Sequence, residues 1–393
     1  MAGGGSSTAA IDDGDAGTEG SYRIDASSFS RDARELFSFT GVTAIALTTS
    51  AGADFIDTAT STAGIDIDSG EGDDELRLAP RAAIANAGDG NDTLTTAALG
   101  KLRAHSLGVF GSAALPASIV PGFDFLGKVG VVDVATDFAR GLLSATGFES
   151  GKIGRIGVGG DFAGHIYATG NIGTVKIGGM SDDSSITADF GASIGSITIR
   201  HDVRNADIFA GGIIGSVNVG GALTGSSVIA TGRSAPANAR ASVALPKIGV
   251  GGSVQDSFIG AGYDLAGIAV NPDAAIGTVI IRGNFETSDI AAGIDPVSTF
   301  YGEGDDLVAT PLSGPFAGLQ RGDPAIVARI ARIARVVIAG SVIGVPVPTG
   351  EHHAIIAESI GSVRVGGIAV PRVANGGEFP LSLGGDVTVA IAG

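Results

Sequence analysis

The chain has no cysteine and no tryptophan, and only 4 tyrosines and 2 methionines in 393 residues. Without cysteine, disulfides, thiol redox chemistry and thiolate metal sites are all excluded, which accords with an extracellular protein that does without disulfides. So few tyrosines disfavour a broad aromatic platform for sugars. Basic residues are scarce too, 24 against 41 acidic ones, for a formal charge of −17. That balance argues against nucleic acid or an anionic membrane as partner and suits cations. No apolar run reaches the roughly 18 residues of a transmembrane segment. The first twenty residues lack the basic and apolar regions of a signal peptide. An uncleaved C-terminal export signal, a mature chain and an engineered start all remain open.

Glycine is what the chain has in excess, 65 residues, beside abundant valine, isoleucine and alanine. The glycines do not recur every third residue, so collagen is excluded, and 44% hydrophobic residues exclude a disordered chain. Small β-branched residues alternating with glycine predict short, tightly turned strands. The fold expected is all-β, a right-handed parallel β-helix or β-roll solenoid with minor helical segments.

Residues 1–22 read as a flexible acidic tail, and a short amphipathic piece at 31–39 reads as a cap. Residues 23–110 form the β-roll. Residues 111–150 read as a linker with a short helix, because Val134, Phe138 and Leu142 fall at helical spacing and Gly147 is a natural stop. From 151 to 393 a signature Ile-Gly-x-Val/Ile recurs, beginning at Ile153, Ile172, Ile194 and Ile214 and later at Ile276 and Ile360, with copies that keep its Ile-Gly start at Ile248 and Ile343. The first spacings suit one turn of a parallel β-helix per copy, with glycine reversing the chain through positive φ. A second element, as in Ser184-Ser185-Ile186 and Ser226-Ser227-Val228, supplies the next strand of each copy. Longer gaps predict loop insertions near 233–246 and 285–326.

The most specific pattern is Gly70-Glu71-Gly72-Asp73-Asp74-Glu75-Leu76, repeated as Gly88-Asp89-Gly90-Asn91-Asp92-Thr93-Leu94 after 18 residues. Two half-turns of nine residues make one coil, so this offset stacks both turns on one side. Calcium prefers roughly six to eight oxygens from carboxylates and carbonyls. Asp74 and Asp92 are the candidate carboxylate ligands, with carbonyls from Gly70, Gly72, Gly88 and Gly90. A lone third turn carries Gly302, Gly304 and Asp306, and Gly52-Ala53-Asp54-Phe55-Ile56 keeps only the latter half of the pattern. An EF-hand is rejected, since Asp66-x-Asp68 is followed by Glu71 where that loop needs glycine.

These turns resemble the nonapeptide repeats of the RTX (repeats-in-toxin) family, with Ser69 and Ala87 replacing the first glycine. The Ile-Gly-x-Val copies are similar to β-helices of bacterial exoproteins, surface-layer proteins and adhesins. The RTX resemblance implies calcium as the bound ion and export to the extracellular space or cell surface, commonly by type I secretion. It names no activity, because lipases, epimerases and surface-layer proteins all carry such modules.

Catalytic groupings are thin. Glu351-His352-His353 is the compact trio, while His165 and His201-Asp202 stand apart, and Arg321-Gly322-Asp323 is a tripeptide that arises by chance. The final strand, Val387 to Ala392, ends apolar and without an obvious cap, which favours end-to-end association, though a covering loop or an export signal accounts for it equally. The expected function is therefore a calcium-binding structural or self-assembling surface or matrix protein, a lattice, filament or adhesin component. Alternatives are a carbohydrate-active lyase or epimerase and an adhesin gripping a cell-surface polysaccharide.

Overall fold

The structure is a computed structural model that describes residues 7–13, 19–40, 42–49, 51–58, 60–78, 84–87, 93–96, 99–104, 107–108, 122–125, 127–146, 151–189, 191–233, 242–295, 307–308, 331–344, 353–374, 377–382 and 387–391. The chain divides into two compact units, 1–178 and 179–393. Both are built from parallel strands in large sheets, and no helix occurs among the described residues.

In the first unit one ladder runs through Val42–Thr48, Gly64–Asp68, Ile84–Asn86, Leu99–Ala104, Val129–Val134, Ile153–Val158 and Ile172–Ile177, all parallel. A second parallel ladder contains Phe55–Asp57, Glu75–Leu78, Thr93–Thr96, Gly122–Phe125, Phe138–Ala145 and Phe162–Ala168. Register puts like over like. Val132, Ile156 and Val175 lie in one buried column, and Val134, Val158 and Ile177 in another.

The second unit has three parallel ladders, one strand of each per repeat. Its long ladder includes Ile194–Ile199, Val217–Val219, Val243–Val250, Ala275–Ile281, Arg332–Ile338 and Val363–Val365. Two-residue strands form the next, from Ser181–Asp182 through Val203–Arg204, Leu223–Thr224, Val254–Gln255 and Phe285–Glu286 to Val342–Ile343. The third stacks Ser185–Ala188, Asp207–Ala210, Ser227–Ala230, Phe258–Ala261, Asp289–Ala292, His353–Ala357 and Val387–Ile391. Its central column, Ile186, Ile208, Val228, Ile259, Ile290, Ile355 and Val389, is buried throughout. The Ser184 and Ser226 elements noted in the sequence are the corners entering this third ladder.

The signature glycines are placed by space, which corrects the expectation that they reverse the chain through positive φ. None of Gly154, Gly173 and Gly215 has positive φ. At each, an added Cβ would collide with a carbonyl oxygen of the preceding repeat, Gly130, Gly154 and Gly195 respectively. Close stacking of two backbones, without room for a methyl group, fixes glycine there.

Several expected boundaries move. Part of the predicted tail is structured, because Ser7–Asp12 pairs in parallel with Val42–Thr48. The 31–39 piece is not a separate cap element but part of an antiparallel hairpin, Ser28–Arg31 with Arg34–Ser38, laid on Ser21–Ile24. The predicted linker helix is two strands. Val134 and Phe138 belong to different strands, paired with Val158 and Phe162, and the Phe138 and Phe162 rings meet edge to face at 5.2 Å. Tertiary register overrides the accidental helical spacing, and Gly122–Phe125, Val129–Val134 and Phe138–Ala145 are strands of the two ladders. Val243–Val250 takes the end of the first expected insertion into the long ladder, and Phe285–Glu286 and Asp289–Ala292 are ladder strands at the start of the second. Val387–Ile391 is not an open edge, because Glu378–Pro380 pairs antiparallel against it. A glutamate and a proline on that outer strand discourage further pairing.

An unforeseen excursion at 262–274 covers the outer face of the third ladder. Tyr263 is fully buried there against Phe209, Ile229 and Ala291, and its hydroxyl donates to the Ile294 carbonyl at 2.6 Å. Asn271 Nδ2 donates to the Thr231 carbonyl at 2.8 Å and holds the loop down. Gly260 leaves room for the Phe258 and Tyr263 rings, which an added Cβ would enter.

Stability follows from these columns. Ile259→Ala, in the middle of the buried column, should lower the unfolding free energy of the second unit by about 2–5 kcal/mol, whereas exposed Leu265→Ala should change it by under about 0.5 kcal/mol. Urea unfolding followed by circular dichroism tests this; equal effects at both positions would contradict the column as the source of stability.

Candidate functional site

Two places gather polar groups. The first lies in the first unit, where the turn at 70–74 stacks on 52–54. Gly70 and Gly72 have φ of 84° and 132°, values open to glycine but strained for other residues. A Cβ on Gly72 would also strike the Gly52 carbonyl oxygen, and the Gly52 N–H donates to the Glu71 carbonyl at 2.6 Å. This backbone turns Asp74 inward, and Asp54 does the same one repeat earlier; each is only 2% exposed.

Their carboxylates do the same structural job. The Asp54 N–H donates to Asp74 Oδ1 at 2.8 Å, and the Gly20 N–H donates to Asp54 Oδ1 at 2.8 Å. Each aspartate thus satisfies a corner N–H of the repeat before it. Asp54 Oδ2 is buried, and no hydrogen bond of good geometry reaches it from the described residues. Burial pushes the Asp74 carboxyl up to about 6, the Asp54 N–H and Ser69 hydroxyl pull it down, and the charges of Asp54 and Asp73 push it up again. Burial also raises Asp54 above its ordinary value, against the pull of the Thr49 hydroxyl, the Gly20 N–H and the Arg31 charge.

Of the expected calcium ligands, Gly70, Gly72 and Asp74 are therefore placed together on one tight turn. Gly88, Gly90, Asp92, Gly302, Gly304 and Asp306 lie outside the described residues. The strands that follow the first two turns, Glu75–Leu78 and Thr93–Thr96, pair in parallel with Leu76 opposite Leu94, at the offset of the sequence repeat. Among the described residues no three acidic or histidine side chains are grouped so as to hold a metal. Two buried carboxylates and the glycine carbonyls suit a hard cation chemically, and further oxygens would have to come from beyond the described turn. Asp54 was the residue sequence reading undervalued. Its Asp54-Phe55-Ile56 matches Asp74-Glu75-Leu76, but at an offset of 20, which hides it beside an 18-residue repeat.

The second place is a groove of about 610 Å³ in the second unit, where the two-residue and four-residue ladders meet. Five successive repeats turn this corner on a residue with positive φ: Asp183, Asn205, Gly225, Asp256 and Thr287. The following serine satisfies the corner. Ser226 Oγ accepts the Ala206 N–H at 3.1 Å, Ser257 Oγ the Ser226 N–H at 3.2 Å, and Ser288 Oγ the Ser257 N–H at 3.0 Å. Gly225 and Ser227 leave one repeat without bulk, and the groove opens there between Asp207 on one side and Asp256, Phe258 and Asp289 on the other.

Of the trio at 351–353, Glu351 and His352 lie outside the described residues, and His353 lines this groove. His353 Nδ1 is 3.3 Å from Asp289 Oδ2, and Asp289 Oδ1 accepts the Ala354 N–H at 2.7 Å. Among the described residues no lysine or arginine lines the groove, and His353 is its basic side chain. His165 and His201 are exposed on a strand and a turn. Asp202 serves structure, accepting the Ala222 N–H at 2.9 Å and the Arg204 guanidinium at 3.0 Å. Arg321-Gly322-Asp323 lies outside the described residues.

The buried aspartate makes a pH prediction. A carboxyl raised from 3.8 to about 6 binds more protons folded than unfolded, so its stabilising effect is complete below about pH 4 and is lost as pH rises through 6. In chelator, wild type should lose up to about 3 kcal/mol relative to Asp74→Asn between pH 4 and pH 7. Asparagine keeps an oxygen for the Asp54 N–H and has no proton to lose. Thermal unfolding of both proteins across that range is the measurement; parallel pH curves would contradict the raised value. Compared with protein-family models, curated proteins and solved structures, the chain has no match to any of them.

Proposed function

We propose that the chain is a secreted, non-catalytic scaffold of a cell surface, surface layer or matrix, wound as a right-handed parallel β-helix and binding calcium at RTX-like turns in its first unit. The observation that carries this reading is the buried Asp54–Asp74 stack. Two carboxylates are held in consecutive repeats where burial disfavours their charge, and a divalent cation would restore it. Strands of each ladder in register, one per repeat, support the solenoid, and a right-handed crossover is the rule for parallel strands. The acidic balance suits calcium-rich surroundings outside the cell, with type I secretion as the route that the RTX resemblance suggests.

Calcium here trims the first unit, while the apolar columns hold the fold. With a Kd of roughly 10⁻⁴ to 10⁻³ M, 1 mM calcium contributes only about 0.4–1.4 kcal/mol per site. Glu378–Pro380 pairs along Val387–Ile391, so that strand is not the proposed route of self-association. A second reading, glycan binding by a surface adhesin, is favoured by one observation, the polar groove that His353 lines.

Calorimetry decides the calcium reading. Wild type should melt a few degrees higher in millimolar calcium than in chelator, and Asp74→Asn should lose that shift. An unchanged melting temperature of wild type in excess calcium would sink it. Sedimentation under both conditions tests assembly, for which a scaffold should form multimers in calcium; a monomer in both would remove self-assembly from the proposal.

A further inference from the structure

The groove of the second unit has features that select a ligand. Its side chains come from consecutive repeats at one register position: Asp207 pairs with Ser227, Ser227 with Phe258, and Phe258 with Asp289. Neighbouring positions are therefore about 4.8 Å apart along a straight line. A linear ligand with repeating polar groups matches such a row better than a compact one. The volume, about 610 Å³, lies within the roughly 300–1,000 Å³ typical of small-ligand sites.

Charge and shape narrow the class. Asp207, Asp256 and Asp289 give the lining a negative sign, three carboxylates against one histidine, His353, and no described lysine or arginine. An anionic chain such as a polyuronate would be repelled, and a cationic one attracted. The Phe258 ring stands at 84° to the buried Tyr263 ring, 5.0 Å between centroids, and so presents a fixed apolar surface beside the carboxylates. Hydroxyl-rich rings with a C–H face use both kinds of contact.

The carboxylates are also held in place. Asp207 accepts from Ser227 Oγ at 2.6 Å, the Thr287 hydroxyl bonds Asp256, and Asp289 is held by Ala354 and His353. Side chains fixed before binding lose little freedom when a ligand arrives.

We propose that this groove binds a short stretch of a linear amine-bearing polysaccharide, its amines toward Asp256 and Asp289 and a sugar face on Phe258. The inference deepens the glycan-binding reading and is independent of the calcium turns, so it is tested in chelator.

Isothermal titration with four probes at mildly acidic pH gives the answer: a β-linked glucosamine tetramer, its N-acetylated counterpart, a galacturonate tetramer and tetralysine. The glucosamine tetramer should bind best, the acetylated form about tenfold more weakly for want of the charge-assisted bond, and galacturonate not at all. Asp256→Asn should weaken the glucosamine tetramer about tenfold with an unchanged melting temperature, because asparagine tolerates the positive φ of 48° at that corner. Ser227→Trp should fill the groove and abolish binding, and circular dichroism confirms that the strands remain. Equal binding of the acetylated and free-amine forms, tighter binding of galacturonate or tetralysine, no binding at millimolar ligand, or wild-type binding by Asp256→Asn would each overturn the proposal.

Discussion

A parallel ladder in register sets every side chain directly over its counterpart one repeat away, and the rest of this structure follows from that constraint. Apolar residues profit from it. Ile259 sits between Val228 and Ile290, all fully buried, so each contributes to a continuous column instead of an isolated contact. Charged residues do not, since like charges directly opposite are unfavourable. Outward columns accordingly interrupt their charges, as where Ser227 and Phe258 separate Asp207 from Asp289. The same stacking brings backbones so close that Gly154 and Gly173 lie against carbonyl oxygens where no Cβ fits.

Corners pose a second demand. Where the chain leaves one ladder for the next, N–H groups turn away from the regular pairing and need acceptors. Side chains of the adjacent repeat provide them. Ser226, Ser257 and Ser288 do this in the second unit, and Asp54 and Asp74 do it in the first. Asp137 accepts the Asp161 N–H at 2.6 Å in the same manner. A short polar residue after a tight turn is therefore first a structural device in this chain, whatever else it does.

These relations explain what the sequence disclosed. The Ile-Gly-x-Val copies at Ile153, Ile172, Ile194, Ile214, Ile276 and Ile360 were legible because the isoleucine and the glycine recur by identity. Leu245 and Ile333 hold that register position without a glycine after them, and the Ile-Gly pairs at Ile248 and Ile343 fall elsewhere, Ile248 opposite Val217 and Ile343 opposite Glu286. The groove was not legible, because its corner positions share a backbone angle and no residue type: Asp183, Asn205, Gly225, Asp256 and Thr287. Phe138 misled for a related reason. A helix reading needs only the spacing Val134, Phe138, Leu142, whereas the strands depend on partners 24 residues away, Val158 and Phe162, that local pattern does not reveal. Asp54 lay hidden because its repeat is two residues longer than the next.

The contrast between the two kinds of corner bears on the calcium reading. A serine satisfies the corner N–H at little desolvation cost, as three stacked serines do in the second unit. An aspartate makes the same bond but brings a charge that burial disfavours, strongly enough to raise Asp74 to about 6. Corner geometry alone therefore does not account for carboxylates at both Asp54 and Asp74. What a carboxylate has and a serine lacks is a second oxygen and a negative charge, and no hydrogen bond of good geometry reaches the buried Asp54 Oδ2 from the described residues. A cation drawing on that oxygen would turn an unfavourable feature of the first unit into a reason for the aspartates to be there.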